Sequence, residues 1–198
     1  MGIYSRDEII ERYETLGRDL KKRGIDIDEI KKAVSRFKVE VPSWAFGAFG
    51  SGRFSGYVPP GAARNIFEKI EDASVVNKLT GATPKIAIHV GWDNPDGALY
   101  DMIEASSFKI VKNSAEKMGL SIGSVSPTYF LEGTEFGSLT ANNLKIRKKM
   151  IQHTLISAEV AEKFGNKILT LWLPDGSLYP GQVDMARRFR NLKQALKE

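Results

Sequence analysis

The apolar positions of this chain change period several times, and each change predicts an element. Residues 6–23 place Ile9, Ile10, Tyr13, Leu16 and Leu20 at helical spacing until Gly24 stops the pattern. Asp26 then caps a second short helix with Ile30, Ala33, Val34 and Phe37 as its stripe. From residue 39 the pattern alternates between short apolar runs and longer helical ones. The runs at 39–46, 85–90, 120–125 and 167–173 read as strands, and that at 85–90 is near-continuously apolar, as a strand covered on both faces is. Helical patterns come after them at 65–79, from Asn94 to Lys117, at 144–164 and at 182–197. The order is therefore a helical prelude, residues 1–37, and four strand-helix units, residues 38–198.

Parallel strands joined by returning helices make an α/β fold, and four successive right-handed units are half of an eightfold TIM (β/α)8 barrel, typically about 250 residues when whole. An open four-stranded sheet is the alternative. The barrel half is favoured because every strand runs into aromatic or polar residues. They are Trp44 at the end of the first, His89 with Trp92 and Asp93 at the end of the second, Tyr129 and Phe130 past the third, and Trp172 and Asp175 at the end of the fourth. In such folds chemistry collects at the carboxyl ends of the strands. The second half of the barrel is expected to lie outside these residues.

Composition narrows the chemistry. An apolar fraction of 42% over 198 residues supports a real core, and the absence of cysteine excludes a disulfide framework, a thiol nucleophile and a cysteine zinc site. No apolar run reaches the ~18 residues of a membrane span, and the N-terminus is charged where a secretion signal is greasy, so a cytoplasmic location is expected. The net charge of +5 raises nucleic acid as a partner. The lysines and arginines, however, are interleaved with Asp and Glu in helical patterns, as on solvated helix faces, and no nucleic-acid role is assigned. The loop 47–56 carries four glycines with Phe49 and Phe54; without a following Gly-Lys-Ser/Thr it is no phosphate cradle, and it reads as a lid or an intersubunit contact. His153, inside a helical pattern, reads as a packing or surface residue.

Four blocks carry a resemblance: Val41-Pro-Ser-Trp-Ala-Phe-Gly47, Ile88-His-Val-Gly-Trp-Asp93, Gly137-Ser-Leu-Thr140, and Leu171-Trp-Leu-Pro-Asp-Gly-Ser-Leu-Tyr-Pro-Gly-Gln182. In this order they resemble the N-terminal half of the L-rhamnose isomerase family, within the xylose-isomerase-like barrels, and the likeness covers the chain from about Phe37 onward. The resemblance implies aldose-ketose isomerisation by a 1,2-hydride shift, assisted by divalent ions, usually manganese. It implies that Trp44, Phe130 and Trp172 form an apolar wall against the sugar, that His89 bonds the ring oxygen or terminal hydroxyl and assists ring opening, and that Trp92, Asp93 and Asp175 support them from behind. It implies that the metal ligands come from the second half of the barrel. No metal ligand is therefore assigned here, and the 198 residues alone are expected to bind manganese weakly and to be inactive. The expected partners are a sugar, the C-terminal half of the barrel and further copies of the chain in a homo-oligomer. A non-catalytic half-barrel that binds sugar or assembles is the competing reading. A barrel endonuclease would suit the basic charge but needs a histidine-rich metal cluster, and the chain has 2 histidines.

Overall fold

The computed structural model describes residues 4–47, 59–97 and 102–198, in two compact units, Met1–Val39 and Glu40–Glu198. The first unit holds two helices. α1 (Arg6–Lys22) opens with a reciprocal cap in which Ser5 accepts from the Glu8 N–H and Glu8 accepts from the Ser5 N–H. In α2 (Ile27–Ser35), Asp26 accepts from the N–H groups of Asp28 and Glu29, the cap expected from sequence. Neither helix has a buried residue. Among the described residues no helix is long and apolar enough to cross a membrane.

The second unit is α/β. Its sheet is parallel, in the order β1 (Val41–Pro42), β2 (Lys85–His89), β3 (Ser121–Ser126). α3 (Ile66–Thr80), α4 (Lys109–Lys117) and α5 (Leu144–Lys163) intervene or flank these strands, and α6 (Met185–Ala195) comes last. The core is built where the sequence pattern puts it. Ile66, Ile70 and Ala73 of α3 pack with Ile86 and Ile88 of β2, Ile122 and Val125 of β3, Val111 and Ala115 of α4, and Val160 and Ala161 of α5. Each fully buried large aliphatic side chain of this kind contributes about 1.5–3 kcal/mol.

Three elements differ from their sequence expectation. The first strand is confined to Val41–Pro42, because Pro42 has no N–H for a ladder and the chain then tightens into a 3-10 turn at Ser43–Ala45. The helix expected from Asn94 instead begins with a 3-10 turn at Ala105–Phe108 before α4. There the hydroxyls of Ser106 and Ser107 bond the carboxylate and carbonyl of Glu104, competing with a helical start. The fourth strand is reduced to one parallel bridge, Val125 to Leu169. Its neighbours Ile168 and Trp172 are 61% and 51% exposed, so the segment lacks the two-sided cover that stabilises a parallel strand. The glycine loop expected to act as a lid or intersubunit contact lies, apart from Gly47 and its bridge to Ala63, outside the described residues.

β3 carries one extra residue opposite β2, since Ile86 pairs with Ile122 but Ile88 with Val125. Glu40 fills the irregularity: its carboxylate accepts from the Ser124 N–H at 2.9 Å and from the Ser124 hydroxyl. A Cβ at position 123 would collide with that carboxylate, so a larger residue there requires the Glu40 side chain to move and give up its bonds to Ser124.

Candidate active site

Because the strands are parallel, their carboxyl ends share one edge, and the segments that leave neighbouring strands meet there. Trp44 comes after β1, His89 ends β2, Trp92 lies in the next turn, Phe130 comes after β3, and Trp172 after the bridge at Leu169. Their rings form a continuous row. Trp44 meets His89 edge-on with centroids 4.8 Å apart, His89 stacks on Trp92 at 4.6 Å, Trp92 lies 6.0 Å from Phe130, and Phe130 meets Trp172 edge-on at 5.3 Å. The order of the rings is the order of the strands. A separate cleft of about 460 Å³, lined among others by Lys109, Lys112 and Phe164, shares no residue with the row.

His89, between Trp44 and Trp92 toward one end of the row, is only 1% exposed. Burial pushes its imidazole down to about 4, against the smaller opposing pull of the Asp93 charge, with Lys69 again favouring the neutral ring. Nδ1 lies 3.5 Å from the Thr128 hydroxyl oxygen, and Nε2 has no hydrogen-bond partner among the described residues. The Thr128 oxygen already accepts from the Gly91 N–H at 2.8 Å, and the Thr128 N–H donates to His153 Nε2 at 2.9 Å. His153 is buried, and through this bond it fixes the loop that carries Thr128 and Phe130.

Asp93 is fully buried and organises the turn beneath the row. One oxygen receives Lys69 Nζ at 2.8 Å; the other receives the Ser43 hydroxyl at 2.5 Å and the His89 N–H at 2.8 Å. Lys69 is 1% exposed, so this is an ion pair within the protein interior. Asp175 has a different set of partners. It accepts from the N–H and hydroxyl groups of both Ser138 and Thr140, and Arg188 of α6 bonds the Asp175 carbonyl, tying together two rim loops and a helix.

The structure thus joins Trp44, His89, Trp92, Phe130 and Trp172 in one row, puts Asp93 behind its His89 end, and puts Asp175 in a loop staple. Sequence reading missed Ser43, Lys69 and Thr128. Lys69 had left a signal: it comes three residues after Ile66 and four before Ala73, so it stands on the buried stripe of α3.

The fold is that of an α/β protein with a neutral imidazole set among aromatic rings at the carboxyl edge of its parallel sheet. A family profile described as L-rhamnose isomerase matches residues 7–198, and the chain belongs to that family. It is similar to a probable sugar isomerase of Rhizobium meliloti (strain 1021), 36% identical over 198 aligned positions, gaps included, which cover 97% of this chain and 44% of the relative. A probable sugar isomerase of Mesorhizobium japonicum is also 36% identical, over 200 aligned positions, gaps included, which cover 98% of this chain and 44% of that one. The chain spans less than half the length of these curated relatives.

Proposed function

We propose that this chain forms the sugar-facing wall of an aldose-ketose isomerase built on a (β/α)8 barrel, of which it supplies the first strand-helix units. The observation that carries the reading is His89: a neutral imidazole whose Nε2 has no hydrogen-bond partner among the described residues, set between Trp44 and Trp92. Gly91 donates to the Thr128 oxygen, which leaves the Thr128 hydrogen free to be given to His89 Nδ1, and in that tautomer the ring proton resides on Nε2. An Nε2–H donor suits the ring oxygen or a terminal hydroxyl of a sugar, and donation to the ring oxygen assists opening. Phe130 and Trp172 extend the apolar wall past it, present the sugar with C–H-compatible faces and keep water from the carbons between which hydrogen migrates. Family membership and the names of the relatives support the same reaction class.

The divalent ion that the family implies does not fit the residues described here. Asp93 is occupied by Lys69, Ser43 and the His89 N–H; Asp175 by Ser138 and Thr140; His153 Nε2 by Thr128. Among the described residues no group of three or more His, Asp or Glu side chains could hold a metal. We therefore assign the ligands to the C-terminal half of the barrel, and the role of this chain is to bind, orient and exclude water.

His89→Asn tests the reading, because it keeps a polar group without an imidazole. In the full-length protein it is expected to lower kcat/KM for a ring-closed aldose about a hundredfold and for an open-chain analogue far less. Equal losses on both substrates would remove His89 from ring opening.

A further inference from the structure

Lys69 has no part in the wall, yet it is among the most deeply buried large side chains of the chain, and burying an ammonium is costly unless it is paired. It pairs with Asp93, whose other oxygen holds two pieces of the rim at once: the Ser43 hydroxyl, adjacent in sequence to Trp44, and the N–H of His89. Three elements converge on one carboxylate, the turn after β1, helix α3 and the end of β2. A carboxylate is a demanding neighbour for an imidazole that is to stay neutral, since a nearby negative charge favours the protonated ring.

We propose that Lys69 is a positioning residue of the site: through Asp93 it locks Ser43–Trp44 and His89 into one rim segment while cancelling the carboxylate charge beside the imidazole. The proposal rests on the sugar-isomerase reading for its purpose but not for its geometry. Among the described residues the charged groups that reach His89 are Asp93 and Lys69, with opposite effects on the ring. The others facing it, Trp44, Trp92 and Thr128, carry no charge. Hydrophobic replacement of Lys69 would leave Asp93 buried with Ser43 and one N–H as its remaining donors, and the uncompensated charge would draw a proton to His89.

The test tracks the His89 imidazole resonance by NMR against pH in the full-length protein, the signal being assigned by its loss in His89→Asn. Lys69→Met is expected to raise the titration midpoint from about 4 toward the ordinary histidine value of 6.5, and Lys69→Arg to bring it back down. Ser43→Ala removes one Asp93 donor without stranding a charge. It is expected to shift the midpoint the same way by less, and it serves where Lys69→Met does not fold. In the isomerase assay Lys69→Met is expected to lower kcat about tenfold with KM changed less than about twofold. A midpoint unmoved in Lys69→Met, or in Ser43→Ala where the former does not fold, overturns the proposal. Absence of isomerase activity in the wild type would instead count against the sugar-isomerase reading and leave the imidazole result standing.

Discussion

His89 links a protonation equilibrium to folding. Its imidazole titrates near 4 in the folded chain and near 6.5 when exposed by unfolding, so between these values the unfolded state binds the extra proton. Stability is therefore full above about pH 6.5 and falls as pH drops toward 4, by at most about 3 kcal/mol at 1.36 kcal/mol per unit. Urea denaturation at pH 7 and at pH 4.5 measures this, with His89→Asn as the control in which the part of the loss due to this ring disappears. Tyr129, by contrast, is raised to about 12 by burial, despite the Thr154 hydroxyl at 2.7 Å, and stays neutral throughout. At this scale the sequence was informative about the residues at strand ends and uninformative about those beneath. His89, Trp44 and Trp92 are visible as polar or aromatic breaks after apolar runs. Ser43 and Lys69 matter through a carboxylate that is 50 positions from one and 24 from the other, and no local pattern encodes that.

Among elements, the turn after β2 shows how tightly the rim is assembled. Gly91 donates to the Thr128 hydroxyl oxygen, and a Cβ there would lie 2.8 Å from the Thr128 Cβ and 2.9 Å from that oxygen. Thr128 cannot retreat freely, since its N–H is held by His153. Gly91→Ala is expected to cost about 1–3 kcal/mol by overpacking, read as a lower urea midpoint with unchanged slope. A midpoint equal to wild type would mean the two rim segments do not pack as described. β2, α3 and α5 were legible almost to their ends because apolar runs, caps and stop residues agreed there. The fourth strand was less so. Its apolar run 167–173 reads as a core strand, but whether such a run forms a ladder depends on neighbours that a linear pattern does not contain. The start of α4 was misplaced for a local reason, the Glu104–Ser106–Ser107 bonds that favour a 3-10 turn.

At the level of the molecule, the parallel order of the strands converts chain order into a spatial row, so that four distant blocks of sequence become one surface. Trp172 is the informative member of that row. It is half exposed and packs edge-on against Phe130, so truncating it removes little of the core, whereas Trp92 stacks directly on His89. The most direct measurement is aldose-ketose interconversion by the full-length protein with manganese, comparing wild type, Trp172→Ala and Trp92→Ala alongside their melting temperatures. If Trp44, Phe130 and Trp172 are the sugar-facing wall, Trp172→Ala lowers kcat/KM about a hundredfold with an essentially unchanged melting temperature, and Trp92→Ala, acting through His89 and Phe130 and not on the sugar, lowers it less. A Trp172→Ala protein that melts like wild type and turns over sugar at the wild-type rate would contradict it.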